Sequence, residues 1–258
     1  FWITFATTKE RVAPVQEETN IRADLKAMLE NGPWIVLFLA AIFTLMNVAV
    51  RNGSLLYYFK YYVGDDGTPI FLIFDKTAVF MSLGLMTMII GIALTKTLSE
   101  RFEKRDLLIA LTIMNALTMA AFYVTPPDQY WTMVVINCLG TLIIGPTPAL
   151  VWAMYADTAD YGEWKTGQRT TALIFSSLQF AQKMGLAVGA GLAGIVLGLF
   201  GFVANEVQTE TSLAGIRFMF SVMPALLAVL GAAAIYFYKI DSNTIRQVEK
   251  DLQARHST

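Results

Sequence analysis

Six stretches of the chain carry no charged residue: Trp34–Val50, Thr77–Thr95, Leu107–Pro127, Gln129–Ala156, Met184–Asn205 and Phe218–Tyr238. Apolar runs of about 18 or more residues match the length of helix that crosses a hydrocarbon core about 30 Å thick. The pattern predicts an all-α membrane protein with six transmembrane helices, at about 34–62, 70–95, 107–124, 130–156, 171–200 and 213–238. Residues 34–238 then form the bundle, residues 1–33 precede it and residues 239–258 form a tail.

The polar connections alternate in basic content. Segments 1–33, 96–106, 157–169 and 239–258 hold four, four, two and four Lys or Arg residues, whereas 64–69, 125–130 and 201–212 hold none. Cytoplasmic loops carry the excess of Lys and Arg, so the alternation predicts six spans with both ends of the chain in the cytoplasm. In the leading segment, Ile21, Leu25, Met28 and Leu29 lie at helical spacing behind Asn20 as N-cap, with Asn31-Gly32-Pro33 as the stop. That short helix suits either the membrane surface or the ends of the bundle. Ile245, Val248 and Leu252 mark a second amphipathic helix in the tail. The opening FWITFATTKER reads as the last turns of a preceding span, as in a chain that begins partway through a larger protein.

Composition supports the membrane reading and narrows the chemistry. Apolar residues make up 55% of the chain and charged residues 15%. The single cysteine, Cys138, leaves no disulfide within the chain, and the only histidine, His256, lies in the tail. Haem held by histidine pairs and His-rich zinc sites are therefore excluded, and no metal site or cofactor is expected. An intramembrane enzyme would need paired aspartates, a Ser/His pair or a His/Glu metal site. No span core holds His or Glu, and Asp75 has no aspartate partner at depth.

Charge inside the spans is the candidate chemistry, because an ionised side chain there marks a pathway, a site or an internal pair. Lys183 lies about a dozen residues into the fifth span, about 18 Å along the helix and close to mid-membrane. It suits a solute and cation site or a fixed ion pair. Arg51 lies two to three turns below the tyrosine-rich end YYFKYYVG (57–64), which forms an aromatic belt from which Lys60 snorkels. Such an arginine faces a cavity or an internal carboxylate, for which Asp75 is a candidate.

In the fourth span, Gly145-Pro146-Thr147-Pro148 deprives the carbonyls of Leu142 and Ile144 of their donors, as in a packing kink or a bent helix lining a solute path. Gly185 and Gly189, four apart, let a neighbour approach closely. Pro224 lies inside the sixth span, Arg217 sits at its outer end, and the third span is nearly featureless. Asn137 and Gln179 join Arg51 and Lys183 as polar groups expected on the inner face. The segment 157–169 reads as a charged loop, with Asp157, Asp160, Glu163, Lys165 and Arg169 serving as a solvated connector or as a cytoplasmic gate.

The segments DTADYGEWKTGQR (157–169) and FSSLQFAQKMG (175–185), with YYFKYYVG (57–64) and Gly215-Ile216, resemble the glycoside–pentoside–hexuronide:cation symporters. This family of the major facilitator superfamily includes the melibiose permeases. The resemblance covers essentially the whole chain and implies the C-terminal six-helix half of a twelve-helix transporter. Residues 1–33 are then the end of a preceding span plus the cytoplasmic linker between halves.

It further implies symport of a sugar, glycoside or hexuronide with Na⁺ or H⁺ by alternating access in a bacterial inner membrane. The cation would be bound mainly by carboxylates of the N-terminal half. Lys183 matches the family's eleventh-span lysine near the sugar and cation, and Gln179 lies near sugar-lining positions. The family's sugar-stacking tryptophan falls at Pro148, with Trp152 one turn on, so Lys183, Gln179, Arg51 and Trp152 are the candidate substrate residues. A non-transporting receptor, scaffold or lipid-handling relative on the same helices is the alternative.

The loop charges generate a direct test. Single cysteines at Gly67, Asp128 and Gln208 should react with impermeant thiol reagents added to intact cells. Those at Lys104, Thr166 and Ser257 should react only after permeabilisation. Labelling at Thr166 from outside would overturn the six-span arrangement.

Overall fold

The computed structural model describes residues 2–7, 21–167 and 171–256. Its helices are α1 (Trp2–Thr7), α2 (Ile21–Leu29), α3 (Gly32–Tyr57), α4 (Lys76–Ala93), α5 (Thr95–Ser99) and α6 (Lys104–Val124). They continue with α7 (Tyr130–Ile144), α8 (Thr147–Thr166), α9 (Thr171–Leu199), α10 (Glu210–Phe220), α11 (Val222–Tyr236) and α12 (Ser242–His256). A π-helical turn, Tyr58–Val63, extends α3. Taken with their continuations, six helices are long and apolar enough to cross a membrane: Gly32–Val63, Lys76–Ala93, Lys104–Val124, Tyr130–Thr166, Thr171–Leu199 and Glu210–Tyr236.

Side-chain caps set several of the starts. Asn31 Oδ1 accepts from the Trp34 N–H at 3.3 Å, and Pro33 fits the first turn of α3, where its missing N–H is no loss. Asp75 Oδ1 accepts from the Ala78 N–H at 2.7 Å, which starts α4 at Lys76 rather than near residue 70. Asp75 is thus a helix cap, not the ion-pair partner of Arg51. The expected cap Asn20 lies outside the described residues.

The segment expected to be a charged loop is instead helix as far as Thr166, closed by Gly167 in the left-handed region at φ 72°. The segment is one-sided: Met154, Tyr155, Thr158, Ala159 and Gly162 are buried, which offsets the low helix propensity of Gly162, while Asp157, Asp160 and Glu163 are half-buried and Lys165 is exposed. The extension is held in place. Lys104 Nζ meets Asp157 Oδ2 at 2.6 Å, and Asn31 Nδ2 donates to the Thr158 carbonyl at 3.0 Å. Helix α12 packs along it through buried Ile245, Val248 and Leu252, and Trp164 Nε1 donates to Asp251 Oδ2 at 2.8 Å.

The opposite end is tied by other groups. Lys60 Nζ donates to Asn205 Oδ1 at 2.9 Å, and Tyr62 donates to the Thr125 carbonyl at 2.9 Å. Between the two ends, spans approach where side chains are smallest. A Cβ on Gly185 would lie 2.7 Å from the Ile42 carbonyl, and one on Gly189 2.7 Å from that of Met46. Gly145 meets Gly91 in the same way, its would-be Cβ 2.7 Å from the Gly91 Cα. Small faces of this kind let α3 and α9 pack backbone to backbone.

Gly189→Ala should therefore destabilise the protein by about 1–3 kcal/mol through overpacking. Gly191, with nothing within 4 Å of its would-be Cβ, should tolerate alanine with no measurable loss. Melting of the two variants in detergent, followed by intrinsic fluorescence, checks the contrast.

Candidate functional site

A cavity of about 400 Å³ lies within the bundle, walled by α3, α4, α6, α7, α8, α9 and α11. Its polar lining consists of amides and hydroxyls, including Asn47, Asn115, Asn137 and Gln182, together with one charged residue, Arg51. Among the described residues, no Asp or Glu side chain contributes to the lining.

Arg51 is positioned by a defect in the facing span. Pro224 has no N–H, so the carbonyl of Phe220, four residues earlier, lacks its helical donor. The helix breaks there: α10 ends at Phe220, and Ser221 sits off the helical backbone with φ −122° and ψ −73°. Arg51 Nη1 supplies the missing donor to the Phe220 carbonyl at 2.8 Å. Its guanidinium carbon lies 4.3 Å from the Phe220 ring centroid and 4.9 Å from that of Phe122, so cation–π contacts hold the group from two sides. No carboxylate pairs with it among the described residues. Of the two sequence readings, cavity or internal carboxylate, the structure gives the cavity.

One turn below on the same face of α3, Asn47 is only 6% exposed, and its Oδ1 has no hydrogen-bond partner among the described residues. Asn137 is buried at the cavity wall and donates through Nδ2 to the Phe80 carbonyl at 3.1 Å. The break at 145–148 lines the cavity through Thr147 and Pro148. One of its two freed carbonyls gains a side-chain donor, and the other faces a glycine. The Thr147 hydroxyl donates to the Ile144 carbonyl at 2.8 Å, and the Leu142 carbonyl lies against Gly91, where any Cβ would clash with it.

The other expected site residues sit elsewhere. On α9 the stripe facing the cavity is Leu178 and Gln182, while Gln179 and Lys183, one residue on and about 100° round the helix, are exposed. Trp152 is 45% exposed and stacks on Phe175, the ring centroids 5.9 Å apart. Gln179, Lys183 and Trp152 thus lie outside the cavity, in the exposed surface.

Asp157 is engaged within the bundle by Lys104, Asp160 and Glu163 are half-buried, Lys165 is exposed, and Arg169 lies outside the described residues. The third span, read as featureless, contributes Thr112, Asn115 and Thr118 to the cavity. Asn115 was the missed signal there, an amide in mid-span; Asn47 and Gln182 were missed in the same way.

Membrane-length helices around an internal cavity, with a cation deep in each of two spans, are the arrangement of a membrane-transporter bundle. Comparison with known proteins agrees. Residues 1–242 match the family described as MFS/sugar transport protein, and the chain belongs to that family.

It is 32% identical over 251 residues to the inner membrane symporter YicJ of Escherichia coli K12, covering 96% of this chain and 53% of that protein. It is 29% identical over 265 residues to the isoprimeverose transporter of Lactiplantibacillus pentosus, covering 100% of this chain and 52% of that one. A glucuronide carrier protein homolog of Escherichia coli K12 is 25% identical over 255 residues, covering 99% of this chain and 54% of its own length. The chain spans about half the length of the curated relatives it matches.

The Arg51–Phe220 contact is testable by double substitution. Arg51→Leu removes the donor and should cost about 1–3 kcal/mol, the penalty of an unsatisfied buried carbonyl. Pro224→Ala restores an N–H four residues after Phe220. In that background Arg51→Leu should lower the melting temperature by clearly less than it does alone; equal losses would sever the link between the two residues.

Proposed function

We propose that the chain is the C-terminal six-helix half of a secondary active transporter that carries a sugar or glycoside in symport with Na⁺ or H⁺. The observation that carries this reading is Lys183. It lies twelve residues into the 29-residue α9, yet its side chain is exposed on the bundle surface. A cation at that depth is not left against lipid, so it requires a facing surface that supplies an anion. A second six-helix half meets that requirement, and relatives about twice this length, named as symporters and sugar transporters, support it.

In this reading the sugar lies between the halves, against Gln179, Lys183 and Trp152, and the coupling cation is bound mainly by carboxylates of the N-terminal half. Lys183 shares one of those carboxylates, so arrival of the cation changes the partner of Lys183 and with it the affinity for sugar. The coupling is reciprocal: sugar strengthens cation binding by the same factor. The charged extension at Asp157, Asp160, Glu163 and Lys165 serves as the cytoplasmic gate, a network of charges biasing two states of nearly equal energy. Both ends of the chain are cytoplasmic, in a bacterial inner membrane. Alternating access then follows from rocking of one bundle against the other.

Lys183→Ala should leave the two-half protein folded in the membrane but abolish stimulation of sugar uptake by an imposed Na⁺ or H⁺ gradient. Lys183→Arg should fail too, because a planar fork does not replace a compact ammonium. Uptake in proteoliposomes is the measurement, and cation-stimulated accumulation at the original level in Lys183→Ala would remove the lysine from the coupling site.

A further inference from the structure

Just before α4, the five consecutive residues Ile70–Phe74 carry apolar side chains, and all five are exposed, Leu72 at 78% and Ile73 at 83%. They form a closed turn rather than the first turns of the second span. The N–H groups of Ile70 and Phe71 donate to the Phe74 carbonyl at 2.9 and 3.2 Å, and the Phe74 N–H returns to the Phe71 carbonyl at 2.9 Å. Leu72 stands in the left-handed region at φ 53°. Glycine or asparagine takes that conformation at less cost, and turns in water are ordinarily built from such residues. The tip of this turn is instead as apolar as the span beside it.

The turn is fixed to the bundle on both sides. Asp65 Oδ2 accepts from the Thr77 N–H at 2.9 Å and from the Thr77 hydroxyl, and Asp75 Oδ1 caps α4 at Ala78. The span that follows is short. The 18 residues of α4 make it the shortest of the six membrane-length helices, and at about 27 Å it falls below a hydrocarbon core of about 30 Å. Ile70 also shares a surface pocket with Tyr61, Tyr62, Tyr130, Trp131 and Lys76. Aromatic rings of this kind sit at the membrane–water boundary, and a lysine beside them can snorkel to the headgroups.

We propose that the turn Ile70–Phe74 is a lipid anchor, seated in the bilayer leaflet at the tyrosine-rich end of the bundle, where it supplies the apolar length that α4 lacks. A span shorter than the hydrocarbon core must be compensated, and an apolar turn at its end does so without thinning the bilayer. The N–H groups of Ile70, Phe71 and Phe74 are already donated within the turn, which lowers the cost of leaving water. A protein partner would account for the apolar side chains but not for their place at the end of a short span, level with the aromatic belt. The inference needs only that the six helices cross a membrane; it requires neither the transport reading nor a particular orientation.

A nitroxide at residue 73 tests it. Ile73→Cys is made in the two-half protein freed of other cysteines, labelled, and reconstituted in vesicles of phosphatidylethanolamine and phosphatidylglycerol. Collisions of the label with oxygen, which concentrates in lipid, are compared with collisions with a water-soluble nickel chelate. Val207→Cys, replacing a side chain 99% exposed in the loop that Lys60 joins through Asn205, is the aqueous reference. Oxygen should dominate at residue 73 and nickel at residue 207. Phe71→Cys, also at an exposed side chain, is the second position should the first variant fail to insert.

Nickel access at residue 73 equal to that at residue 207 would overturn the proposal, since the turn would then lie in water. Shielding of residue 73 from both reagents would overturn it as well. If that shielding appears in the two-half protein but not in the 258-residue chain reconstituted alone, the facing half is the occupant instead. Sugar uptake plays no part in the readout, so the transport reading and the anchor fall separately.

Discussion

Within a bilayer no water replaces a missing hydrogen bond, so every backbone polar group that a helix break exposes must be met by the protein itself. This bundle breaks two of its spans with proline, and the satisfaction of the freed carbonyls positions the groups around the cavity. At Pro224 the donor is Arg51, drawn across from α3 to the Phe220 carbonyl. At Pro148 the donor is the Thr147 hydroxyl, which serves Ile144. At Pro146 the Leu142 carbonyl lies against Gly91, whose lack of a side chain leaves it room rather than a donor. Each break is thus paired with a particular residue. Without Arg51 and the Thr147 hydroxyl, the Phe220 and Ile144 carbonyls would be unsatisfied polar groups in a medium that penalises each by several kcal/mol.

Close approach makes such pairing possible. Glycines at 185 and 189 let α9 rest on the carbonyls of α3, and Gly145 rests on Gly91 between the second and fourth spans. Where α3 needs no neighbour at backbone distance, larger groups fill the space and leave the cavity beside them. The same helix therefore serves both purposes. One stripe is packed against glycine, and the stripe of Asn47 and Arg51 faces the interior.

The spans were legible in the sequence because uncharged apolar runs of this length suit a bilayer and little else, and Arg51 stood out because a charge interrupted one of them. Two kinds of feature were hidden. The segment 157–166 looked like a loop because it is charged. Its helical continuation depends on burial of Tyr155, Thr158, Ala159 and Gly162 against partners distant in sequence, including Trp34 and the tail helix. The cavity amides were hidden because Asn47, Asn115 and Gln182 are uncharged and barely disturb hydropathy. The stripe on α9 shows how fine the missing information is. Gln179 and Gln182 are both glutamines near Lys183, and only the rotation of the helix, fixed by Gly185 and Gly189 against α3, decides which one faces the cavity.

The two cations deep in the spans are related through charge balance. Arg51 and Lys183 both lie within the membrane-spanning region, and neither has an ion-pair partner among the described residues. An isolated charge in a low-dielectric interior is strongly unfavourable, whereas one that is neutralised on binding turns that penalty into affinity for whatever neutralises it. A bundle carrying two such cations on separate surfaces, one inside and one on the exposed face, therefore has two distinct demands for negative charge. Arg51 lies between the Phe122 and Phe220 rings, whose faces offset part of its charge. Arg51 is thus a brace for the broken sixth span: its hydrogen bond to the Phe220 carbonyl and its contacts with the two rings hold it in place.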